Sequence, residues 1–216
     1  MARKPSISDQ QILAAARRVF LQNGSSATTA EVAREAGVAE GSIFKRFPTK
    51  AALFAASMQG QLEDLPWLKL LREARGDVDG KQILLDAGVE AIGFFRKLMP
   101  LMMMTWSNPK FQDRLPHPLD VPDPPPLHAL REITAFFKRQ IAAGRIRRCS
   151  PEVVGRMYLG ALTNYVLLGL LLERNAAAAA AAPSTLSNHN AKSFVQQLVH
   201  HLYAGIGPHD DKDSDR

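Results

Sequence analysis

The sequence predicts an all-α protein, with a compact N-terminal group of three short helices followed by a larger helical part. Three observations carry that expectation. Helix-start signatures, in which a hydroxyl residue stands three positions before a Glu or Gln, occur at Ser8–Gln11 and Thr28–Glu31; each partner satisfies a first-turn N–H that the helix itself cannot. Apolar residues recur at helical spacing, as in Ile12, Ala15, Ala16, Val19 and Phe20. No strand-like run bounded by turn residues is found in the sequence.

Taken in order, Ser8 opens a first helix that Asn23-Gly24 stops, since both tolerate a left-handed backbone. Thr28 opens a second, ending at Ala36, with Val32, Ala33 and Ala36 as its small apolar face. Gly37 turns the chain, Val38 plugs the corner, and a third helix is expected from Glu40 to Arg46, where Pro48 forbids continuation. Thr49 caps a fourth helix from Lys50 through Leu53, Phe54 and Met58. From Pro66 the composition shifts, and "REARGDVDG" (72–80) reads as a linker. A long helix follows over 81–104, then a short one near Asn108-Pro109, and a proline-rich stretch (115–126) that cannot be regular helix. Helix resumes over 127–143; Ser150-Pro151-Glu152 starts another that runs to about Arg174. The alanine run at 176–182 reads equally as helix or loop, 193–203 as a last helix, and 209–216 as a polar, disordered tail. These boundaries suggest domains at 1–54 and 55–208.

The totals narrow the function. The 216 residues are 46% hydrophobic and 22% charged, ordinary globular composition, with a net charge of +6. Lys and Arg number eight and Asp and Glu four within residues 1–50, so an excess of four of the six net charges lies there. That balance favours a polyanion. One cysteine, Cys149, excludes an internal disulfide framework and fits a reducing cytoplasm. No leader-like apolar core follows Arg3 and Lys4. The longest apolar run, Met157–Leu172, carries Thr163, Asn164 and Tyr165 in its middle and falls short of the roughly 18 to 20 residues a spanning helix needs. A buried or interface helix is expected, and no membrane. Catalytic signatures are missing: there is no HExxH, CxxC or phosphate-cradling glycine loop, and the adjacent His200 and His201 point in different directions on a helix. No enzyme activity, cofactor or metal is expected.

Two helices this short cannot stand alone in water. Joined by a glycine turn and preceded by a longer helix, they make a helix-turn-helix, whose last helix suits the major groove of DNA. "TTAEVAREAGVAEGSIFKRFPTKAALF" resembles the DNA-binding segment of the tetracycline-repressor (TetR) family, through Thr28, Val32-Ala33, Ala36-Gly37-Val38, Gly41-Ser42-Ile43, Phe47, Lys50 and Leu53. The close resemblance covers residues 8–54. Three positions depart from the family pattern. Ala39 replaces a capping serine. Phe44 replaces a tyrosine and keeps only an apolar ring, able to pack on a thymine methyl or a sugar. Arg46 replaces a histidine and adds a permanent charge.

The resemblance implies a site and partners. Thr28 and Thr29 would hold a phosphate on helix N–H groups. Glu40 and Gly41 would face base edges, where a glutamate can accept from cytosine N4. Ser42, Phe44, Lys45, Arg46 and Lys50 would complete the DNA contact, while Phe47 belongs to the core. The last two long helices would pair with their copies in a homodimer, with Tyr158, Leu162, Tyr165 and Leu198 near the interface; packing within one subunit is the competing reading. A small-molecule effector would sit among Phe94, Phe95, Met99, Met102, Met103, Met104 and Trp106, a soft apolar cluster that also reads as plain core. The function implied is a ligand-responsive repressor on a palindromic, double-stranded operator. The alternative is a DNA-binding dimer that answers to a protein partner or to nothing.

Overall fold

A computed structural model describes residues 8–58, 65–74, 79–106, 124–181 and 190–206, and every regular element among these is helical. The chain divides into two compact units, Met1–Leu62 with Arg96–Pro124, and Glu63–Phe95 with Pro125–Arg216.

The first unit is built on α1 (Asp9–Asn23), α2 (Thr29–Ala36), α3 (Glu40–Phe44) and α4 (Lys50–Met58). The Ser8 hydroxyl accepts from Gln11 N–H while the Gln11 side chain accepts from Ser8 N–H, so α1 starts with the expected capping box. Its apolar stripe (Ile12, Ala15, Ala16, Val19, Phe20) is buried, and α1 packs on α2 and α4. Phe20 meets Phe54 of α4 edge to face, ring centres 5.3 Å apart. A domain boundary after residue 54 would cut through α4, which continues to Met58 and buries Phe54 and Ala55 in this same core.

The second unit contains α5 (Pro66–Glu73), α7 (Pro125–Ala142), α8 (Pro151–Arg174), α9 (Ala176–Ala181) and α10 (Ala191–Ile206). The helix α6 (Gly80–Trp106) is continuous, with its residues up to Phe95 in this unit and those from Arg96 in the other. Pro66 at the first helical position starts α5, which buries Trp67, Leu68 and Leu71 and packs on α7. Sequence periodicity did not show this helix, because eight residues with a single apolar turn leave too little pattern to count. The proline pair at 125 and 126 also corrects the expectation: both lie in the first turn of α7, where a missing N–H costs nothing. The alanine run does form a helix, α9, separated from α8 by Asn175 in an extended conformation. The Asn175 carboxamide oxygen accepts from Ala178 N–H and starts the new helix. The short helix expected near residue 108 and the tail at 209–216 lie outside the described residues; of the expected 72–80 linker only 75–78 do, while Arg72 and Glu73 close α5 and Gly80 opens α6.

The core of this unit centres on α8. Tyr158, Leu162 and Val166 recur every four residues and are buried. The Tyr158 hydroxyl donates to the Leu84 carbonyl of α6 at 2.5 Å, and burial pushes that phenol far above its ordinary range. At 24 residues, α8 is longer than the apolar run that marks it in the sequence. An 18-residue window has a mean hydropathy of 1.3, enough by length and composition alone to cross a membrane. Here it packs on α7 and α10 instead. Gly88 of α6 permits a close approach: a Cβ there would stand 2.6 Å from Val195 Cγ1 and 2.8 Å from the Tyr158 hydroxyl.

That contact gives a paired test. Gly88→Ala should destabilise the protein by about 1–3 kcal/mol, because Val195 is β-branched and buried and Tyr158 is hydrogen-bonded, so neither yields. Gly93→Ala in the same helix, where nothing lies within 4 Å of the new methyl, should stabilise by up to about 1 kcal/mol through helix propensity. Denaturant unfolding of the two variants checks both signs.

Candidate nucleic-acid interface

The helix-turn-helix is assembled from α2, the Gly37 turn and α3. At the start of α2 the Thr28 hydroxyl accepts from Glu31 N–H at 3.2 Å, and the Glu31 carboxylate accepts from Thr28 N–H at 2.8 Å and from the Thr28 hydroxyl at 3.1 Å. These bonds from Thr28 hold the Glu31 carboxyl below its ordinary value. At the other end, Gly37 takes the left-handed conformation (φ 68°) and donates to Ala33 and Arg34 carbonyls. Val38 N–H then bonds the Ala33 carbonyl at 3.0 Å, closing the corner.

Helix α3 is only five residues and has no side-chain cap, since Ala39 stands at its N-cap. It ends at Phe44, two residues before the expected Arg46. Turn-type bonds from Arg46 N–H and Phe47 N–H to the Ile43 carbonyl carry the chain on to Pro48. Ile43 is fully buried and Phe47 nearly so, which anchors the inner face of the helix in the first unit. The outer face carries exposed Gly41, Phe44 and Lys45, with Ser42 half-buried.

The other candidate residues are placed as follows. The Thr29 hydroxyl donates to Glu40 Oε1, joining the first residues of α2 and α3; sequence reading gave no sign of this bond. Arg46 is exposed and pairs with Asp9 at 3.3 Å. Lys50 Nζ donates to the Ser25 carbonyl at 2.6 Å. Partial burial pulls the Lys50 ammonium below its usual value, and the nearby Glu31 carboxylate opposes that shift. An ammonium has three donors, so the bond to Ser25 positions Lys50 beside the α2 N-terminus and leaves donor capacity. Thr28, Thr29, Gly41, Ser42, Phe44, Lys45, Arg46 and Lys50 thus all lie on or next to the two short helices.

The remaining candidates sort differently. Tyr158 and Leu162 were expected near a surface shared with a second chain, but both are fully buried within this chain. Inward-facing positions on α8 leave them nothing to offer a partner. Tyr165 stacks on Phe194 of α10, ring centres 4.4 Å apart, and Leu198 is half-buried. Phe95 packs against Trp67 at 5.7 Å and against Phe94 at 5.5 Å, inside the second unit. Met99 is buried, Met102 half-buried and Met103 exposed, all in the part of α6 that belongs to the first unit. The compact units therefore divide the expected effector cluster; the side chains of Met104 and Trp106 lie outside the described residues. Among the described residues no group of His, Cys, Asp and Glu could hold a metal ion.

A capped short helix, a left-handed glycine corner and an outward-facing second short helix define a helix-turn-helix DNA-binding module. Residues 12–57 match the sequence model of the bacterial regulatory proteins of the tetR family. Solved structures extend the likeness to the whole fold. A TetR transcriptional regulator, SCO0520 from Streptomyces coelicolor, is 22% identical over 93% of this chain and 99% of its own, with a TM-score of 0.52. The regulator FadR from Bacillus subtilis, solved with stearoyl-CoA, is 16% identical over 92% and 100% (TM-score 0.53). SmeT, the repressor of the Stenotrophomonas maltophilia efflux pump SmeDEF, is 16% identical over 95% and 93% (TM-score 0.51). Residues 12–57 thus carry a tetR-family DNA-binding domain, and the chain as a whole has the fold of these solved structures.

The Glu31 cap gives the module a pH signature. A depressed folded-state value means that the carboxylate stabilises the fold above its ordinary value of 4.5 and loses that contribution as pH falls through the lower folded value. Glu31→Gln keeps the hydrogen-bonding shape but cannot titrate. The difference in melting temperature between wild type and variant should therefore hold steady near neutral pH and shrink at acidic pH.

Proposed function

We propose that this protein is a ligand-responsive transcriptional repressor that binds a palindromic DNA operator as a homodimer and leaves it when a small, apolar effector binds. The outward face of α3, with Lys45, Arg46 and Lys50 around it, is the observation that carries the reading. A helix presented this way fits the major groove, while flanking cations and the first N–H groups of α2 contact phosphates. Thr28 supports that role by ordering the α2 N-terminus, and Ser42 and Phe44 lie on the same helix. Arg46 would exchange its exposed partner Asp9 for phosphate, which costs little because surface ion pairs are weak.

Homodimerisation is supported by α8, whose Val153, Met157 and Leu171 are more than half exposed although the helix is apolar overall. A second copy supplies cover for this face by twofold symmetry, with Tyr165 and Leu198 at its edge. The effector is proposed to bind within the second unit, near Phe94 and Phe95. It would lower DNA affinity by preferring a protein state that DNA does not. The FadR structure with stearoyl-CoA shows an apolar chain as ligand of a similar fold.

Selection from random duplexes with the full chain supplies the operator on which binding is measured. Lys50→Ala should then weaken binding to all duplexes and reduce the slope of log affinity against log salt by about one unit; an unchanged slope removes Lys50 from the phosphate contacts. Met157→Glu should shift sedimentation from dimer to monomer and lower operator affinity, whereas a variant that stays dimeric would move the interface away from this face.

A further inference from the structure

We propose that Glu40, locked by Thr29, is a specificity-determining residue that demands a hydrogen-bond donor, the N4 amino group of a cytosine, at one base pair in each operator half-site. This inference rests on the DNA-binding reading above and assigns a chemical preference within it. Thr29 is the positioning residue.

Glu40 is the first residue of α3, and Thr29 the first residue of α2. The Thr29 hydroxyl donates to Glu40 Oε1 across eleven residues of sequence, and both side chains are half-buried. A glutamate at a helix start ordinarily samples several rotamers. Here one oxygen is held, which narrows the orientations open to the carboxylate before any ligand arrives. Beside it Gly41 leaves open space: nothing lies within 4 Å of where its Cβ would be. The leading edge of α3 therefore presents an oriented carboxylate with little side-chain bulk next to it.

A carboxylate only accepts hydrogen bonds. Phosphates repel it, so on DNA it is tolerated over the floor of the groove and not along the backbone. In the major groove guanine shows two acceptors, N7 and O6, and thymine shows O4 and a methyl; neither can donate to Glu40. Adenine offers its N6 amino group beside the acceptor N7, which a carboxylate opposes. Cytosine N4 is a donor without that penalty. Locking the carboxylate sharpens the choice, because a fixed acceptor cannot swing towards water when a wrong base is present. A purely structural role is the competing explanation, with the negative charge merely favouring the α3 N-terminus. Base preference separates the two, since a helix-stabilising charge affects all sequences alike.

The test uses the full chain and an operator obtained by random-duplex selection, with affinity measured for all four base pairs at every half-site position. Wild type should favour cytosine about tenfold at one position, symmetrically in both half-sites. Glu40→Gln, which can both donate and accept, should move the preference at that position towards adenine and leave the others in place. Thr29→Val should cut the discrimination several-fold at the same position, and Thr29→Ser should restore it. A Glu40→Gln profile unchanged at every position, or affinity lowered equally for all sequences, overturns the inference while the DNA-binding reading stands. Failure of the wild type to select any duplex sinks that reading and the inference with it. If Thr29→Val melts below the assay temperature, the Glu40→Gln profile decides alone.

Discussion

A helix of five residues has no stability of its own, because nucleation fixes several backbone torsions before enough hydrogen bonds return the cost. Helix α3 exists only because its surroundings hold it, and the first unit is organised around that constraint. Ile43 and Phe47 are buried, so the inner face cannot detach without exposing apolar surface. Gly37 fixes the angle at which the chain leaves α2. The Thr29–Glu40 bond ties the front edges of the two short helices together. Missing from this set is the cap that α3 would ordinarily have, worth about 1 kcal/mol; Ala39 has no oxygen to supply it. Rigidity comes from neighbours, which leaves the outer residues of α3 free of structural duty.

The same distinction explains what could be read from the sequence. Capping chemistry spans three or four residues, so Ser8, Thr28 and Ser150 announce their helices directly, and the structure starts α1, α2 and α8 one residue after each. Glycine with positive φ is equally local, and Gly37 stands where the turn was expected. Interactions between distant residues leave no such mark. Thr29 and Glu40 are eleven positions apart, Tyr158 and the Leu84 carbonyl seventy-four, and neither pair has a pattern that spacing could reveal. Helix α5 was missed for a related reason. Its Trp67, Leu68 and Leu71 acquire meaning only once α7 covers them. Cation placement was partly legible: the charge excess of residues 1–50 was countable, but the pairing of Arg46 with Asp9 and of Lys50 with the Ser25 carbonyl depends on the fold.

Helix α8 shows how far a periodic pattern can go and where it stops. An apolar run on more than one face says that two surfaces must be covered, without saying which residues face which. The fold resolves half of that question. Val154, Tyr158, Leu162 and Val166 line one side at four-residue intervals and are buried within the chain, with Gly155 beside them against α7. Val153, Met157 and Leu171 fall off that line and remain exposed. Tyrosine on the inner line donates a hydrogen bond to the Leu84 carbonyl, which offsets the cost of taking its hydroxyl out of water. The outer line carries exposed Asn164 midway between Met157 and Leu171, seven residues from each. Its apolar side chains can slide against any complementary surface, so the directed bonds that the Asn164 carboxamide can make in their midst are what would fix the register of whatever covers them.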